Sequence, residues 1–132
     1  MITEDYVSFE TAKLLKEKGF DSEVHSFYYV LGSEIGKPGY LANNVSRNTS
    51  PGRNFNWENG AWISRPTIQM AMKWLREIHN LYISVEPNHD KEGLHNAYVR
   101  RNWWKHNWGG IGYKTYEEAC EAAIKYCLEN LI

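Results

Sequence analysis

Few side chains in this sequence of 132 residues stand at spacings that could do chemistry. His89, Asp90 and His95 fall in one polar stretch, and two histidines so spaced can share a metal ion. No cysteine is near and a third ligand is not evident, so no metal site is expected. Cys120 and Cys127 lie in a segment that reads as one helix, hence about 10 Å apart along its axis. A disulfide needs Cα atoms within about 7 Å, so the pair reads as two buried thiols in a reducing compartment. Glu117 and Glu118 fall in the first turn of the same helix, where carboxylates favour the dipole and one completes a capping box with Thr115. His79 near the end of another helix either stabilises that terminus or packs there. Gly109-Gly110-Ile111-Gly112 lacks the G-x-G-x-x-G spacing and a βαβ setting, which leaves it a weak phosphate cradle. The sequence shows no P-loop, HExxH, GxSxG or CxxC pattern. No catalytic set and no cofactor are expected.

The stretch Tyr98-Val99-Arg100-Arg101-Asn102-Trp103-Trp104-Lys105-His106-Asn107-Trp108 has a different character. Read as one strand from Ala97 to His106, it sends Trp103 and Trp104 to opposite faces. Tyr98, Arg100, Asn102, Trp104 and His106 then form one row of flat rings, guanidinium and amide. Such a row can stack on bases or sugars and pair with phosphates. The same residues also suit a structural role, with an indole covering the sheet and an arginine stem laid across a tyrosine. A protein or self-association interface is the third reading. Arg47, Arg53, Asn54, Asn56 and Trp57 would add a second wall if loop 43–60 folds over that face. The candidate ligand-binding residues are therefore Arg53, Trp57, Tyr98, Arg100, Trp104, Lys105, His106 and Trp108.

The net charge of −1 conceals a segregation. Residues 1–31 hold three Lys/Arg against six Asp/Glu, and residues 115–132 hold one against four. Residues 32–66 reverse this with four against two, as do residues 87–114 with five against two. Five of the six tryptophans (57, 62, 103, 104 and 108) lie in those two basic segments. Cations and indoles placed together favour an anionic partner, either nucleic acid or a nucleotide-like small molecule.

The elements that must position these residues follow from period and punctuation. Ser8 caps a first helix that ends at Gly19, and Val24 to Leu31 reads as a strand. Residues 32–60 show neither period and carry five glycines, two prolines and six asparagines. A structureless loop of that length is uncommon, so Tyr40–Val45 or Ala61–Ser64 is expected to pair as a second strand. Pro66-Thr67 opens the strongest helix, from Ile68 to His79, whose apolar positions span about 200° of arc, wider than a one-sided helix needs. Its flanks must meet the sheet and another helix, or a subunit interface at which Met70 and Trp74 are the candidate residues. Leu81 to Glu86 alternates with Leu81, Ile83 and Val85 inward, and Thr115 starts the last helix.

The expected fold is α+β, a single domain over residues 1–132 in the order α-β-β-α-β-β-α. It has one antiparallel sheet of about four strands, helices mainly on one face, and residues 32–60 as a long loop or insertion. The matching runs Lys13–Glu17 and Lys73–Glu77 raise the option of a duplicated α-β-β unit. Leu, Ile, Val and Phe total only 28 residues, so several of the 19 aromatics must serve the core. No apolar run reaches the ~20 residues of a membrane span, and Met1–Asp5 lacks a signal-like apolar stretch.

Three segments, Ser8–Phe20, Pro66–Glu77 and Tyr116–Leu131, together resemble a group of small uncharacterised proteins from Bacteroides-type gut bacteria and their phages and mobile elements. The resemblance covers about a third of the chain, in the three helices. It implies a cytoplasmic, phage- or prophage-linked accessory protein of a bacterial host and carries no activity or site residues with it. The expectation is a non-enzymatic module that binds an anionic ligand through a basic aromatic surface. The rival is an interaction or self-assembling factor that uses the apolar flank of the Ile68–His79 helix.

Overall fold

The computed structural model describes residues 2–29, 45–56, 62–102 and 105–132, without the side chains of Val45, Ser46 and Lys105. The order is α1 (Phe9–Glu17), β1 (Val24–Tyr29), β2 (Val45–Arg53), β3 (Trp62–Ser64), α2 (Ile68–His79), β4 (Leu81–Pro87), β5 (His95–Arg101), β6 (Lys105–Tyr113) and α3 (Tyr116–Tyr126). The α+β class and antiparallel pairing are as expected, but six strands form two three-stranded sheets where one sheet of about four was expected. The chain divides into two compact units, Tyr6–Pro66 and Thr67–Ile132 with Ile2–Asp5. No described helix is long and apolar enough to cross a membrane.

In the first unit β1 is central, in the order β2-β1-β3. Ser8 caps α1 by accepting from the Thr11 N–H at 3.2 Å, and Gly19 takes φ +89°, the left-handed turn that favours glycine after a helix. Phe9 of α1 sets its ring edge against Tyr28, whose hydroxyl donates to the Val7 carbonyl at 2.7 Å. Tyr28 stands opposite the buried Ile63, so this face of the sheet carries the helix. The segment after β2 is pinned by two hydrogen bonds. Phe55 N–H donates to Ser64 Oγ at 3.0 Å, and Ser64 N–H donates to Asn56 Oδ1 at 2.8 Å.

The second unit runs α2-β4-β5-β6-α3, and β5 is central in its sheet. Thr67 and Thr115 cap the two helices, accepting from Met70 N–H at 3.1 Å and Glu118 N–H at 3.0 Å. Glu118 Oε2 accepts from Lys114 N–H at 3.1 Å, so the expected box closes one residue earlier than the cap. Leu81, Ala97 and Val99 are fully buried beneath the helices. The wide apolar arc of α2 is explained by packing against both β4 and α3. The last turn of the chain widens to a π-turn at Cys127–Leu131.

Three expectations need correction. Ala97–His106 is not one strand, because β5 ends at Arg101 and Asn102 turns the chain at φ +66° before β6. The glycines 109–112 lie within β6 rather than in a loop that opens a helix, so they form no phosphate cradle. The expected strand at Ala61–Ser64 is present as the three-residue β3, and a further strand, β2, lies within the Asn/Gly/Pro-rich stretch that was expected to be a loop. A duplicated topology does not emerge, since each unit opens with a helix and an antiparallel pair but adds its third strand at the other side of the pair. Tyr40–Asn44 lies outside the described residues.

Candidate functional site

The face of the second sheet opposite its helices follows from strand alternation. Leu81 is inward on β4, so Tyr82 and Ser84 must point the other way. In register, Tyr82 stands opposite Arg100 and Ser84 opposite Tyr98 on β5. Across the next pair, Arg100 stands opposite His106 and Tyr98 opposite Gly109. The β5–β6 register slips between Val99 and Arg100, which inserts Asn107 as an extra residue on β6. That bulge returns His106 to the same face as Arg100. Asn107 is not wasted, as its Oδ1 accepts from Arg101 N–H at 3.1 Å.

Tyr82, Ser84, Arg100 and Asn102 line a shallow depression of about 180 Å³. Enclosed pockets for drug-sized ligands run to about 300–1,000 Å³, so this one has room for no more than a single flat group. Tyr82 is 46% exposed, and Arg100 and His106 are also exposed. Tyr98 is fixed from two sides. Its ring lies 5.6 Å from that of His106, and its hydroxyl accepts from Asn96 Nδ2 at 3.4 Å. Asn96 is itself buried, with Oδ1 accepting from Asn88 Nδ2 at 2.9 Å and from Gly112 N–H at 3.2 Å. Gly109 leaves the space that the Tyr98 ring needs, since a Cβ there would sit 3.3 Å from the ring. Asn102 Oδ1 accepts from Asn80 Nδ2, the αL residue that ends α2. Among the described residues, no hydrogen bond or ion pair engages the side chains of Tyr82, Ser84 or Arg100. A guanidinium without a partner among the described residues, set across from a tyrosine, can hold an anionic oxygen while a ring stacks on an attached flat group.

Of the residues expected to bind ligand, the sheet brings together Tyr98, Arg100 and His106. Trp108 is instead on the helix side, stacked on Tyr126 of α3 at 5.0 Å and 17°. It stands opposite the buried Val99, which fixes it there. Arg53 belongs to the first unit, where its guanidinium lies 5.0 Å from the Phe55 ring and 5.2 Å from that of Trp62. Trp57, Trp104 and the Lys105 side chain lie outside the described residues. Trp74, a candidate interface residue, is only 5% exposed and packs edge-on to His79 at 4.6 Å, so it is core. Met70 is half-buried. Tyr82 and Ser84 were not singled out, although the alternation from Leu81 to Glu86 already put them on the outer face.

Cys120 and Cys127 face inward. Burial pushes the Cys120 thiol up to about 11 and the Cys127 thiol up to about 12, which leaves neither as a nucleophile near neutrality. Burial, then the charge of Arg101, holds His79 below the usual imidazole range. Among the described residues no group of three or more His, Cys, Asp or Glu could hold a metal ion. Comparison with family models, curated proteins and solved structures found no match for the chain.

Proposed function

We propose that the chain is a non-enzymatic binding module whose β4–β5–β6 face takes an anionic ligand bearing a flat ring, either a nucleotide or a stretch of nucleic acid. One observation supports this reading above the rest. Arg100 stands without a partner among the described residues beside Tyr82 and Tyr98, over a depression sized for one flat group. A purely solvated face would need no such depression and no ring held by a buried asparagine relay. An accessory role in a phage- or mobile-element-linked bacterial setting suits a small module without chemistry of its own.

The test is fluorescence anisotropy of a labelled nucleotide and a labelled oligothymidylate at low salt, followed by salt titration. Arg100→Gln is expected to weaken binding about tenfold and to lower the salt slope by about 0.7, the loss of one phosphate contact to a single strand. No response from either probe at low salt, or an unaltered slope in a folded Arg100→Gln, overturns the proposal.

A further inference from the structure

The first unit carries a second cationic aromatic face, distinct in residues from the one above. Tyr28 and Ile63 sit on the side of its sheet that packs against α1, so Phe27, Tyr29 and Trp62 fall on the opposite side. The Phe27 ring stacks on Trp62 at 4.8 Å and 16° and on Phe55 at 4.5 Å and 28°. Phe27, Tyr29 and Trp62 are each only half-buried. Strand β2 adds a cation to each end of the cluster. Arg47 stands opposite Phe27, lies 5.3 Å over the Tyr29 ring and donates to its hydroxyl at 3.1 Å. Arg53 covers Phe55 and Trp62 and is likewise exposed.

We infer that this face of β1–β2–β3 is a binding site for single-stranded nucleic acid. Exposed guanidiniums held over rings set positive charge beside flat surfaces. Cations suit phosphate oxygens, and both guanidinium planes and aromatic rings are platforms for unpaired bases. Two arginines at separate places on one strand match a repeating anion better than a single small one. Stacking the arginines on rings also holds them extended over the sheet, so less side-chain entropy is lost when phosphates bind. The inference stands on residues of the first unit alone and does not depend on Arg100.

The experiment uses the full chain and a fluorescein-labelled oligothymidylate. Arg47→Gln/Arg53→Gln is expected to weaken binding tenfold or more and to lower the salt slope by about 1.4, two phosphate contacts on a single strand. Arg47→Lys/Arg53→Lys should keep most of the salt slope while it loses affinity, because charge remains and the planar fork is gone. Oligothymidylate should quench wild-type indole fluorescence, and Trp62→Phe should remove part of that quench. Wild-type affinity and slope in a folded double-Gln variant overturn the inference, as does an absence of oligothymidylate binding by the wild type. Loss in Arg100→Gln with none in the double-Gln variant overturns this site and supports the other. Loss in the double-Gln variant alone does the reverse.

Discussion

Strand β6 places Gly109 and Gly110 side by side on opposite faces, and the two should respond very differently to alanine. Gly109 stands opposite Tyr98 on the outer face, and Gly110 stands opposite the buried Ala97 on the helix side. A Cβ on Gly110 would lie 2.5 and 2.8 Å from two carbons of the Trp108 ring and against the Tyr113 hydroxyl. The hydroxyl is the far end of a side chain that can swing away. Trp108 cannot, because its ring already stacks on Tyr126 at 5.0 Å. To restore ordinary contact at 3.4 Å, the indole must retreat by roughly 0.6–0.9 Å into its neighbour. Overpacking of this kind costs about 1–3 kcal/mol. For a unit of this size, Tm then falls by roughly 4–8 °C per kcal/mol. On Gly109 the same methyl meets the half-buried Tyr98 at 3.3 Å and the exposed His106 at 3.5 Å, an adjustment of about a tenth of an ångström. The gain from stiffening the unfolded chain is common to both variants and cancels in the comparison. Thermal unfolding followed by near-UV circular dichroism and indole fluorescence should show Gly110→Ala well below Gly109→Ala. Equal melting of the two variants would refute the packing assigned to Trp108.

Both thiols should resist a thiol-reactive dye near neutral pH and react only after denaturation, since burial holds them at about 11 and about 12; rapid labelling of the native chain would contradict the placement of Cys120 and Cys127. His79 is held below its ordinary value in the folded state, so the unfolded chain takes up the proton first as pH falls. Stability should therefore decline as pH drops below about 6.5 and stop declining below the folded value. Denaturant unfolding at several pH values should show that decline reduced in His79→Gln, and an identical pH profile would count against it. Thr115→Ala removes the acceptor for Glu118 N–H at 3.0 Å and should cost about 1 kcal/mol of stability in urea unfolding.

The helices were readable because their signals are local. Ser8, Thr67 and Thr115 each cap the helix they precede, and the turn after α1 falls at Gly19, at positive φ. Alternation in Leu81–Glu86 identified a strand and its outer face in the same way. Strand β6 was lost for a physical reason. Gly109, Gly110 and Gly112 erase alternation, and the turn at Asn102 has no Asn-Gly or Pro signature, so a hairpin read as one strand. Strand β2 was lost because an edge strand with exposed residues has no need of apolar alternation, and here it includes Pro51 and Gly52.

The candidate site shows the same division. Tyr98 and Arg100 share a face by their spacing alone, a property of any strand. His106 joins them only because the hairpin folds β6 back beside β5 and a bulge at Asn107 restores the face. Trp108 went the other way for the same reason, since pairing with Val99 sends it under α3. Segregation of cations and rings along the chain is a one-dimensional fact, and composition alone settled it. Which ring meets solvent and which meets a helix depends on strand register and on what packs behind each strand. Those are contacts between residues far apart in the chain, and they exist only once it has folded.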